Sequence, residues 1–181
     1  MAGFAENGGI FPYLEDSFRR CTFESGAIGV LPANSEGWTV EHVDWEVPEN
    51  QKRVRKLSPC SGWKFLQGSG TVKGHTIGGC LEVLEWLRGT PVWPSPEDWE
   101  GAVLFLETSE EAPFKDVVTR ALRCYAAEGV LSKLSGILFG RPGGPLPVDQ
   151  YDAYDEAILA VVAGEHGLDD LPHALLHSLE V

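Results

Sequence analysis

From Gly68 onward, apolar and polar positions fall into short regular patterns that alternate between strand and helix periods. "GTVKGHTIGG" alternates as a strand does, "CLEVLEWLRG" reads as a short helix closed by Gly89, and Pro91 to Pro96 forms a connector. "AVLFLE" is a strand with nearly all-apolar filling, which suggests burial on both faces. Phe114, Val117, Val118, Ala121, Leu122 and Tyr125 then share one helical face, with Pro113 suited to the first turn and Gly129 to the stop. "GILFG" is another buried strand, and Tyr151, Tyr154, Ile158, Val161 and Val162 mark an amphipathic helix from about Asp149 to Gly164 or Gly167. Strands alternating with helices predict an α/β domain with some parallel pairing.

The first part of the chain is less regular. A Gly-rich opening, "FAENGGIFPY", leads into a short helix candidate around Tyr13 to Phe23 and then a strand-like "GAIGVL". Residues 33 to 66 are rich in Trp, Pro, Glu and Asn without a clean period, as in a functional loop or a linker. The expected organisation is therefore 1–32, 33–66 and 67–181.

Composition narrows the function classes. The 181 residues carry a net charge of −13, which repels phosphate backbones and argues against nucleic acid as a partner. No apolar stretch approaches the ~20 residues needed to cross a bilayer, and no basic region followed by an apolar segment opens the chain, so neither a membrane span nor a signal peptide is expected. Cys21, Cys60, Cys80 and Cys124 are widely spaced with no C-x-x-C pair, as for reduced thiols of a cytoplasmic protein.

Candidate chemistry centres on one acid. Glu107 ends "AVLFLE" just ahead of a helix start, and in open α/β sheets ligands gather beyond the carboxyl ends of strands. The competing reading is a solvated strand-end acid favoured by the helix dipole. No G-x-S-x-G nucleophile elbow occurs in these residues. His173 and His177 can share a helical face, but "HALLH" lacks the glutamate of a zinc protease motif and reads as a terminal tail. His42, His75 and His166 read as ordinary polar residues. "GSGTVKG" precedes a strand instead of joining a strand to a helix, so it is not a dinucleotide fingerprint. Trp38 and Trp45 lie in a charged, Pro-flanked segment; they serve either as stacking platforms for a planar ligand or as edge packing.

Taken in order, "LQGSGTVKGHTIGGCLEVLEWLRGTPVWP" and "WEGAVLFLETSEEAPFKDVVTRALRCYAAEGVLSKLSGILFG" resemble the carboxy-terminal domain of the LD-carboxypeptidase serine peptidase family. "FAENGGIFPY" and "GWTVEHVDW" resemble the branch that confers self-immunity to the peptide-nucleotide antibiotic microcin C. The resemblance runs to about Pro172.

It implies a swivelling β/β/α carboxy-terminal domain at 67–181, a remnant of an amino-terminal domain at 1–32, and a specificity loop at 33–66. The activity it implies is that of a cytoplasmic, homodimeric serine hydrolase of the Ser-Glu-His type, with no metal and no cofactor. Its substrate would be a small peptide or a peptide-nucleotide conjugate, and cleavage of murein tetrapeptides is the alternative within the family. Glu107 matches the triad glutamate, while Trp38 and Trp45 fall in the loop that stacks on the nucleobase. Cys80 stands where the family usually has asparagine in G-G-N-L, which places it among the substrate-binding residues. By the same resemblance the serine would lie ahead of Met1 and the histidine at about Val181 or beyond, so this polypeptide alone is expected to be inactive. A non-catalytic binding or self-association module is the reading from a different class.

Overall fold

The structure is a computed structural model that describes residues 6–41, 43, 44, 46–60 and 62–176, the last four by their backbone only. Two compact units divide the chain, one within Met1–Gly62 and the other Trp63–Leu176.

In the first unit, α1 (Pro12–Phe23) forms where the sequence predicts it, with Pro12 in the first turn, where a missing N–H costs nothing. "GAIGVL" is not a strand. The carbonyls of Ile28 and Val30 face the Arg20 guanidinium, each at 3.5 Å, and Gly29 adopts a positive φ of 74°, so no ladder forms. A two-residue bridge joins Trp38 and Ser58, with N–H···O distances of 3.0 and 2.7 Å. Glu6 accepts from both the backbone N–H and the guanidinium of Arg55, tying positions 49 residues apart.

The second unit is one five-stranded sheet with helices against it. Its elements are β1 (Lys64–Gln67), β2 (Thr76–Cys80), α2 (Leu81–Leu87), β3 (Val103–Glu107), α3 (Lys115–Ala127), β4 (Gly136–Gly140), α4 (Asp152–Leu159, prolonged by a wider turn, Ala160–Glu165) and β5 (His173–Leu176). The strand order is β1-β5-β4-β3-β2; β2 to β5 run parallel, and β1 is antiparallel at the edge.

Strands β2 to β5 follow one another across the sheet without reversal. Right-handed crossovers then lay the connecting helices on a single face. The core agrees: Leu104, Leu106, Ile137 and Phe139 from the strands join Leu81 and Leu84 of α2, Val118, Leu122 and Tyr125 of α3, and Tyr154 and Ile158 of α4. Burying each large apolar side chain there contributes about 1.5–3 kcal/mol.

The same order corrects the expectation for "AVLFLE", whose burial is one-sided: Leu104 and Leu106 are closed off while Phe105 is 38 % exposed. Phe114, assigned to the buried stripe of α3, instead precedes the helix and is 85 % exposed.

Two strands depart from the sequence reading. The "HALL" segment, read as a tail, is β5, hydrogen-bonded between β4 and β1. Lys64–Gln67, assigned to no element, pairs with β5 through an irregular register. The predicted strand over 70–79 is found at Thr76–Cys80; ahead of it, at Gly74, the chain passes too close to the Gly101 carbonyl for any side chain. Among the described residues, no helix is long and apolar enough to cross a membrane.

Candidate active site

Adjacent parallel strands bring their carboxyl ends to one edge of the sheet, and three loops meet there. Cys80 closes β2 in direct register with Glu107, which closes β3. Gly140 closes β4 on the other side; a Cβ at Gly140 would lie 3.1 Å from the Cβ of Glu107. The structure therefore brings two of the sequence-predicted residues, Cys80 and Glu107, together.

Glu107 is half-buried, and its carboxylate makes no hydrogen bond or ion pair among the described residues. Burial pushes its carboxyl above the usual glutamate range, and the charges of Glu82 and Glu110 push in the same direction. A carboxylate in this condition is short of a cation. An imidazolium, or an imidazole N–H, is the kind of partner that would relieve both the desolvation and the like-charge repulsion.

The loop that follows Glu107 is held from three elements. Glu82, in the first turn of α2, accepts the Ser109 N–H at 3.1 Å and the Ser109 hydroxyl at 2.7 Å. Thr108 is 1 % exposed, and its Oγ1 accepts the Gly143 N–H at 3.0 Å. Farther along, the Tyr154 hydroxyl of α4 donates to the Pro113 carbonyl. The Gly-Gly step after β4 makes the contact possible: a Cβ on Gly143 would fall 2.5 Å from the Thr108 carbonyl oxygen, and one on Gly144 2.3 Å from that of Glu110.

Cys80 is a half-buried free thiol whose Sγ–H points to Glu82 Oε2 at 3.6 Å. Burial raises its pKa, backbone N–H donors at Val83 and Glu82 act against that, and the Glu82 and Glu107 charges add to it. The thiol is accordingly a neutral donor, where an asparagine would offer both a donor and an acceptor.

The remaining candidates lie on other elements or outside the described residues. Trp38, in the first unit, is half-buried, and its indole N–H donates to the Pro59 carbonyl at 3.0 Å. Trp45, His42 and His177 lie outside the described residues, and of His173 only the strand backbone is described. His75 Nε2 sits 2.6 Å from the Asp98 carbonyl, ahead of β2, and His166 follows the prolonged α4. Among the described residues, no group of three or more His, Cys, Asp or Glu is placed to hold a metal ion.

Sequence reasoning misses Glu82, Thr108, Ser109, Gly140 and Gly143. The available signal was an acid in the first turn of the helix that leaves the neighbouring parallel strand, together with the "ETS" that leaves β3.

Comparison with known proteins adds the context. Residues 73–176 match the LD-carboxypeptidase C-terminal domain. No curated protein matches the chain. Among solved structures, an MccF-like protein from Streptococcus pneumoniae in complex with AMP is 27 % identical over 80 % of this chain and 43 % of its own, with a TM-score of 0.65. The microcin C7 self immunity protein MccF in complex with aspartyl sulfamoyl adenosine is 23 % identical over 90 % of this chain and 45 % of its own, at a TM-score of 0.60. MccF in complex with glutamyl sulfamoyl guanosine is 20 % identical over 95 % and 49 %, at 0.58. The chain thus spans less than half the length of these structures, and the last two show the fold alone. A parallel sheet closing on Glu107 and a family match over most of that unit lead to one conclusion: the chain belongs to the LD-carboxypeptidase family and carries its C-terminal domain.

Proposed function

We propose that this chain supplies the acid-bearing half of a serine hydrolase site, in which Glu107 orients and charges a histidine that serves as general base. The observation that carries the reading is a half-buried carboxylate at the carboxyl end of a central strand, with no partner among the described residues. Such an acid fixes the imidazole tautomer and stabilises the imidazolium formed when histidine takes the serine proton. In this reading residues 1–32 are a remnant of the amino-terminal domain, 33–66 a specificity loop and 67–181 the catalytic acid's domain.

The substrate class proposed is a peptide-nucleotide or aminoacyl-nucleotide conjugate. It is supported by the complexes of MccF and MccF-like proteins with AMP, aspartyl sulfamoyl adenosine and glutamyl sulfamoyl guanosine. Trp38 and Trp45 would stack on the base, and the neutral Cys80 thiol would donate to the substrate. A murein tetrapeptide is the second reading, favoured by the activity that names the family whose C-terminal domain matches. A homodimer in the cytoplasm completes the proposal.

Taken alone, the 181-residue polypeptide is expected to be inactive. A lone acid cannot activate a hydroxyl, the described histidine rings lie away from Glu107, and the nearby Ser109 hydroxyl is already engaged by Glu82. The test is to assay the chain against an aminoacyl-sulfamoyl adenosine and an L,D-tetrapeptide. The expected result is no turnover of either and saturable binding of the first only; hydrolysis abolished by Glu107→Gln would overturn the inactivity, and preference for the tetrapeptide would overturn the substrate class.

A further inference from the structure

The loop that carries Glu107 has a carboxylate of its own behind it. Glu82 leaves β2 in the first turn of α2 and reaches across to the loop after β3, 27 residues away. Its Oε1 accepts the Ser109 hydroxyl at 2.7 Å and the Ser109 N–H at 3.1 Å, and Oε2 lies 3.4 Å from the same N–H. Charge-assisted hydrogen bonds of this kind are roughly twice as strong as neutral ones. Two donors two residues beyond Glu107 are therefore fixed by one side chain on a different element.

We propose that Glu82 is the positioning residue of this site, holding Ser109 so that the carboxylate of Glu107 is aimed beyond the end of β3 and kept beside a second negative charge. The proposal rests on the reading of Glu107 as the triad acid and adds a device to it. Glu82 acts on Glu107 indirectly: it fixes the following loop through Ser109, and its charge adds to the field at the carboxylate. Among the described residues, the charges that act on Glu107 are those of Glu82 and Glu110, and Cys80 lies beside it in register. A cation entering this corner meets an acid already biased toward it, so the basicity of a partner histidine rises with both carboxylates. Thr108 and Tyr154 hold the same loop through neutral bonds, which leaves Glu82 as the one charged anchor among these three contacts.

The clamp and the charge are separable by experiment. Glu82→Gln keeps an acceptor of the same length and removes the charge; Glu82→Ala removes both. In the free chain, the Ser109 amide is expected to exchange about tenfold faster in Glu82→Ala and about threefold faster in Glu82→Gln, whose neutral acceptor bonds more weakly. The carboxyl titration of Glu107, followed by carbon NMR, is expected to move to lower pH in Glu82→Gln and to stay in place in Ser109→Ala, which keeps the Glu82 charge. A merely structural role would not move that titration. Wild-type exchange at Ser109 in Glu82→Ala, or an unmoved Glu107 midpoint in Glu82→Gln, overturns the proposal; should Glu82→Ala fail to fold, the Gln variant decides. None of these readouts involves turnover, so the role of Glu82 can fail while Glu107 still orients an imidazole, and the reverse holds equally.

Discussion

Gly140 and Glu107 end neighbouring parallel strands so closely that a methyl group on the first would sit 3.1 Å from the Cβ of the second. The carboxylate's place at the sheet edge thus depends on a residue without a side chain on the next strand. Gly140→Ala is expected to cost about 1–2 kcal/mol by overpacking and to shift Glu107. Gly143→Ala, which would put a Cβ 2.5 Å from the Thr108 carbonyl oxygen, is expected to cost more. Urea denaturation of both variants, with an unchanged slope for each, checks the order.

The raised carboxyl of Glu107 has a consequence for stability with a definite sign. A carboxyl whose folded pKa lies above its unfolded value stabilises the fold in its protonated form. That contribution is fully present below the unfolded value, about 4.3 for glutamate, and is lost as pH rises through the higher folded value. Glu107→Gln, neutral at every pH, is therefore expected to raise Tm at pH 7 and to lose that advantage below about pH 4. Thermal unfolding across this range tests it, and a Gln variant less stable than the wild type at pH 7 would contradict the account of the site.

At the far side of the sheet, Lys64 of β1 reaches α4, with its ammonium 2.8 Å from Asp152 and 2.5 Å from Asp155. These bonds raise the lysine's pKa, so their stabilisation is present at neutral pH and is lost as pH rises above the usual lysine range. Asp155 is 5 % exposed, and removing the cation leaves a buried carboxylate without it. Lys64→Met is expected to destabilise the unit by about 1–3 kcal/mol, measurable as a lower urea midpoint.

Trp38 offers a test of the proposed ligand class. Its N–H is taken by the Pro59 carbonyl, so the indole nitrogen is not the group that would recognise a nucleobase. Trp38→Ala is expected to weaken binding of an adenylate analogue by about 5- to 150-fold, equivalent to ~1–3 kcal/mol of stacking, and Trp38→Phe to retain most of it. Calorimetric titration of the three proteins separates stacking from edge packing, which would leave affinity unchanged in both variants.

How much of this was legible in the sequence depended on whether the signal was local. The stripe Val118, Ala121, Leu122, Tyr125 and the runs "VLFLE" and "GILFG" carry their own period, and α3, β3 and β4 formed where they stand. The four residues of β5 carry no period and become a strand only because β4 and β1 take their backbone groups. Single-sided burial at Phe105 followed from strand order, a property of the whole sheet. Glu107 could be singled out because a strand-end acid before a helix is visible along the chain. Its link to Glu82 through Ser109 could not, since parallel adjacency of β2 and β3 creates it.

The role of Glu107 is tested most directly by placing its domain within a full-length relative. Residues 73–176 would replace the matching segment of the MccF-like protein from Streptococcus pneumoniae, and kcat on an aminoacyl-sulfamoyl adenosine would be compared with and without Glu107→Gln. An acid that acts through histidine gives a kcat lower by about 10³–10⁴-fold in the Gln chimera, with KM little changed. An active chimera whose kcat is indifferent to Glu107→Gln would contradict that role.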